Sequence, residues 1–171
     1  MRSRAKEVSL CAVFTALALI VGYLEHMLPL PIAAPGVKLG LANVVTVTAM
    51  YVLGLRAAFA ISMARVLLSG LMFSGMGAMM YALCGALASF AGMALIKRCR
   101  AFSIMGVSVA GALLHNAAQY ALAAAIARTA GLITYLPVLA LAASATGVIV
   151  GWVAWTLTRR LTALGFTRGG K

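Results

Sequence analysis

The chain has 171 residues, of which 64% are hydrophobic and only 9% charged, with a mean hydropathy of +1.08. Soluble domains are about half apolar and about a quarter charged, so the composition excludes a water-dispersed fold and points to a lipid bilayer as solvent. The net charge of +12 does not indicate nucleic acid, because the basic residues form short clusters between apolar runs rather than a stripe interleaved with aromatics.

Apolar runs predict an all-α polytopic bundle of six transmembrane helices in one integral membrane domain, residues 1–171. The expected spans are about 8–28, 39–53, 57–73, 78–96, 104–127 and 136–157. Arg2, Arg4 and Lys6 precede the first run, which is longer than the ~7–15 residues of a signal-peptide core, so it reads as a retained helix. The proline-rich stretch Pro29–Gly36 cannot continue a helix and is expected to lie over one mouth of the bundle. The second run is shorter than the ~20 residues of a full crossing. The third and fourth are separated only by Ser74-Gly75-Met76-Gly77, a tight turn that makes them an antiparallel hairpin.

Lysine and arginine placement sets the orientation. With the N-terminus in the cytoplasm, the inner segments hold Arg2, Arg4, Lys6, Arg56, Lys97, Arg98, Arg100, Arg159, Arg160, Arg168 and Lys171, whereas the outer loops hold Lys38 and Arg128. Eleven against two predicts both termini inside a multi-pass protein of the cell membrane. Trp152 and Trp155 then fall near the inner end of the last span, as in an aromatic belt.

Polar groups inside a span are costly and mark function or a specific network. They are Glu25, His26, Lys38, Asn43, Arg65, His115, Asn116, Gln119 and Tyr120. In this topology all lie between the midplane and the outer face. His115 and Gln119 share one helix face with Asn116 beside them, and Ser62, Arg65 and Ser69 share another. The functional reading is an outward-facing cavity for a small polar or anionic ligand. Arg65 and Lys38 would meet negative charge, and His115, Asn116, Gln119 and Asn43 would supply directional hydrogen bonds. The alternative is a structural network in which Glu25 is the counter-ion of Arg65. His26 and Tyr120 read as packing or interfacial residues.

Ala12 and Ala16 on the first span, Gly85 and Ser89 on the fourth, and Gly147 and Gly151 on the sixth place small residues four apart, a spacing that lets helices approach closely. For the last two pairs, packing within the bundle is the expected use. Cys11, Cys84 and Cys99 lack metal-ligand spacing and read as small buried or interfacial residues. No phosphate loop, HExxH or GxSxG occurs, and Glu7 and Glu25 are the only acidic residues. Mg²⁺-dependent diphosphate chemistry usually needs clustered carboxylates, so no metal, no cofactor and no enzymatic activity are expected.

The stretches Leu28-Pro29-Leu30-Pro31, Gly36-Val37-Lys38-Leu39-Gly40-Leu41-Ala42-Asn43, Arg65-Val66-Leu67-Leu68, Phe102–Ser108 with Ala110-Gly111, and His115-Asn116-x-x-Gln119 resemble the Gx transporter family, also filed as heptaprenyl diphosphate synthase component I. The resemblance covers roughly residues 8–155. That family is similar to the substrate-binding S-components of energy-coupling factor transporters. The resemblance therefore implies a six-helix bundle that binds a vitamin-like ligand near the outer face. It further implies docking on a transmembrane coupling subunit driven by ATPase subunits. Ala12 and Ala16 match the Ala-x-x-x-Ala that faces the coupling subunit in S-components. The synthase name implies a rival role, a non-catalytic membrane component in prenyl-chain elongation. A self-contained secondary transporter is disfavoured by the small bundle and the lack of internal repeats.

Overall fold

A computed structural model describes residues 4–27, 40–99, 101–128 and 136–166. Among these residues the chain is helical throughout its regular structure: α1 (Arg4–Met27), α2 (Leu41–Val52), α3 (Leu55–Ser69), α4 (Gly75–Arg98), α5 (Ile104–Ala127) and α6 (Leu136–Ala163), with a π-helical turn at Gly70–Ser74. Pro29–Gly36 and Lys38 lie outside the described residues.

Successive helices run in opposite directions. Phe59 stacks edge-on against Phe90 at 5.2 Å, and Gly70 abuts Met79. Each pair is equidistant in sequence from Ser74–Gly75, so the chain reverses there. The expected hairpin is present, but the reversal differs from an ordinary loop. Helical structure is broken only by the π turn and by Gly75, whose φ of 80° suits a residue without a Cβ. At the α5–α6 contact, a Cβ on Gly147 would sit 2.7 Å from Val109 Cα, and one on Gly151 would sit 2.7 Å from Met105 Cα. These two glycines therefore let two antiparallel backbones touch, as in small-residue packing of membrane helices. Gly85 and Ser89 are likewise buried within the bundle.

Four segments are long and apolar enough to cross a membrane: Arg4–Met27, Leu55–Arg98, Ile104–Ala127 and Leu136–Ala163. The chain is thus an all-helical, multi-pass membrane protein. The second of these segments is the α3–α4 hairpin, 44 residues long; as one straight rod it would measure about 66 Å, twice a hydrocarbon core of about 30 Å.

Helix α2 falls short of a crossing. Its 12 residues rise about 18 Å. It is instead the centre of the bundle: Ala42, every residue from Val44 to Met50, and Val52 are buried. The core consists of Val44, Val47, Ala49, Met50 and Val52 of α2 with Ala58, Ile61, Met93, Val107, Val150 and Ala154 from α3 to α6. A helix apolar on all sides and wrapped by other helices does not need bilayer length. Its open ends do need partners, because orphan backbone groups cannot find water there. Both ends have them. At the N-terminus the Glu25 carboxylate accepts from Gly40 N–H at 2.6 Å and from Leu41 N–H at 3.0 Å. At the C-terminus the Lys97 ammonium donates to the Met50 carbonyl and lies 4.3 Å from the Tyr51 ring centroid. An acid at the positive end and a base at the negative end both match the helix dipole.

A polar cavity in the half of the bundle away from the basic end

The ends of the bundle differ in charge. Leu10, Ile96, Ile104, Leu161 and Phe166 pack on the same core, which brings the start of α1, the end of α4, the start of α5 and the end of α6 together. Arg4, Lys6, Arg56, Lys97, Arg98, Arg159 and Arg160 belong to this end, and the Arg159 guanidinium lies 5.0 Å from the Trp155 ring. At the opposite end, Phe73 joins the end of α3 to the end of α1, with ring centroids 5.4 Å from Tyr23 and 5.8 Å from His26.

A cavity of about 150 Å³ lies in the half away from the basic end. Alternating helix direction carries the polar positions there. Glu25 comes from the end of α1, Asn43 from the first turn of α2, Arg65 and Ser69 from the second half of α3, and His115, Asn116 and Gln119 from the middle of α5. The structure thus places Glu25, Asn43, Arg65, His115, Asn116 and Gln119 around one space. Lys38 lies outside the described residues. Ala12 and Ala16 are exposed on α1 and do not line the cavity.

Close helix contact positions the α5 group. A Cβ on Gly85 of α4 would lie 2.8 Å from His115 Cε1 and 2.9 Å from Gln119 Cγ. Any larger side chain at Gly85 would therefore displace His115 and Gln119. At the adjacent residue, the Cys84 thiol points to the Ala118 carbonyl at 3.7 Å. The three cysteines are free thiols, Cys11 and Cys84 partly buried and Cys99 exposed.

The two charged lining residues are in different states. Glu25 has both carboxylate oxygens engaged by the backbone of Gly40 and Leu41. Its hydrogen bonds go to the N-terminus of α2, a use of Glu25 that the sequence does not show. Glu25 and Arg65 are opposite charges on the wall of one cavity. Arg65 Nε is buried and has no hydrogen-bond partner among the described residues.

His26 lines the cavity as well as stacking near Phe73, whereas Tyr120 does not line it. The lining also includes Ser108, Thr146, Phe73 and Met79, which sequence reasoning did not single out. Ser108 was within reach, because it stands seven residues before His115 on the same helical face. Phe73, Met79 and Thr146 carry no such signal in chains this rich in apolar and small residues. Among the described residues, no group of three or more His, Cys, Asp or Glu side chains is placed to hold a metal ion.

No curated protein and no solved structure matches the chain. The sequence profile described as heptaprenyl diphosphate synthase component I matches residues 14–157, which takes in the described parts of all six helices except the ends of α1 and α6. The chain therefore belongs to the heptaprenyl diphosphate synthase component I family.

Proposed function

We propose that the chain is a non-catalytic, ligand-binding membrane subunit that works beside a prenyl diphosphate synthase component in chain elongation, a reading that its family membership supports. Family membership carries the partnership. The polar cavity carries ligand binding, since intramembrane polar groups that face a space are expensive unless something meets them. At about 150 Å³ the cavity is smaller than the roughly 300–1,000 Å³ of drug-sized sites. It suits a small polar molecule and not a heptaprenyl chain. The subunit's contribution to elongation is accordingly membrane anchoring or regulation through a small ligand.

A second reading is favoured by where the cavity lies: the chain is an S-component-like substrate-binding subunit of an ATP-driven importer for a vitamin-like or precursor molecule. Positively charged ends of membrane proteins face the cytoplasm, which turns the cavity outward in a protein of the cell membrane with both termini inside. An external cavity serves uptake better than a cytoplasmic synthase. In this reading α3 and α4 cross separately, the chain passes the bilayer six times with α2 covering only part of one pass, and Ala12 and Ala16 face a transmembrane coupling subunit bearing ATPases.

Affinity purification of the full chain from its native membrane separates the two. A co-purifying soluble prenyl synthase component supports the first reading, and co-purifying coupling and ATPase subunits support the second. Native mass spectrometry of the same preparation tests ligand binding, with a bound small molecule as the expected result.

A further inference from the structure

We propose that the cavity selects a small organic anion, with its acid group held by Arg65. This rests on the reading of the cavity as a ligand site and names the ligand's charge. A carboxylate and a guanidinium line the same space, so the sequence alone leaves the preferred sign of charge open. The geometry resolves it. Both Glu25 oxygens accept backbone N–H bonds, at 2.6 Å and 3.0 Å, at the positive end of α2. That negative charge is already met by two donors and a helix dipole. A cationic ligand would have to share a carboxylate whose charge two backbone N–H groups and a helix N-terminus already meet.

Arg65 is the opposite case. It is the only Lys or Arg among the described residues that line the cavity, and its buried Nε lacks a partner there. A guanidinium presents a planar fork of donors that matches a carboxylate or phosphate. Without such a group, an Arg inside the bilayer keeps part of its desolvation cost. Asn43, Asn116 and Gln119 line the remaining wall and can donate to an anion or accept from its hydroxyl or amide groups. The volume limits the ligand to one small ring or its equivalent, since a cavity of about 150 Å³ accommodates benzene.

Benzoate and benzamide test the proposal, because they share shape and differ in charge. Their binding to the full chain in detergent is measured by thermal stabilisation, in buffer free of other carboxylates and phosphate. Benzoate is expected to bind about ten-fold or more tightly than benzamide, as a charge-assisted forked bond implies. Arg65→Gln is expected to abolish the preference, and Arg65→Lys, which keeps the charge without the fork, to retain part of it. Equal binding of the two probes by the unaltered protein, or a preference that survives Arg65→Gln, would overturn the proposal while leaving a ligand site in place. Binding of neither probe would also overturn the proposal, and the native mass spectrum of the purified chain then decides separately whether a ligand site remains. The contrast in the unaltered protein decides even if Arg65→Gln fails to fold.

Discussion

Helices α1 and α2 are neighbours in sequence and opposites in setting. Over its 24 residues α1 buries only Ala18, and Val8, Val13, Ile20 and Met27 are each more than half exposed. Over its 12 residues α2 buries nine. Both are apolar, so hydropathy alone cannot separate them. What separates them is length and what happens at their ends. The long helix faces lipid and can reach the membrane surfaces, where water satisfies its termini. The short helix stops inside the protein, so other helices must supply an acid at one end and a base at the other. A short apolar helix with charged residues on its neighbours is thus a sign of a central element rather than of a failed span.

The largest effect on this contrast should come from Glu25→Leu. It leaves the Gly40 and Leu41 amides without their acceptor and Arg65 without a nearby acid. Each stranded buried donor costs about 1–3 kcal/mol, so thermal unfolding in detergent should show a loss on the order of 4 kcal/mol. Little change would mean that α2 is not held by its N-terminus. Next is Met50→Ala, which empties a fully buried site at the bundle centre and should cost about 3 kcal/mol. A smaller loss would show that α2 is loosely packed. Lys97→Met keeps most of the side-chain volume and removes the bond to the Met50 carbonyl and the contact with Tyr51. It should cost about 1–2 kcal/mol by the same measurement, which would rank the C-terminal end of α2 below the N-terminal end.

The same contrast explains what could be read from the sequence. Helix α5 was expected at 104–127 and is found at Ile104–Ala127. Its limits are set locally, by the Ser103 hydroxyl that accepts from Gly106 N–H at 3.2 Å and by Arg128 in the left-handed region. The ends of α2 are not legible locally, because they are set by Glu25 and Lys97, which are distant in sequence. Lys97 could be read only as one of many charges at the basic end. The polar wall of the cavity was legible residue by residue, since His115, Asn116, Gln119, Asn43 and Arg65 stand out against apolar surroundings. The use of Glu25 was not, because nothing in the sequence shows that the Gly40 amide turns back towards α1.

The smallest expected effect on stability is the most informative about α1. Ala12 and Ala16 are exposed on α1, as are the small Ala5 and Ser9 and the larger Val8, Val13 and Ile20. If that surface meets only lipid, Ala16→Leu adds apolar surface to an apolar solvent and should shift stability by less than about 0.5 kcal/mol. It should also leave co-purification of every partner unchanged. If the small residues are there so that another transmembrane helix can approach closely, the unfolding midpoint of the isolated chain still stays put. The membrane partner is then lost, because a leucine holds the two backbones apart. The two measurements together place α1 either as lipid-facing wall or as docking helix. A drop in the stability of the isolated chain would contradict both and move α1 into the packed class of α2.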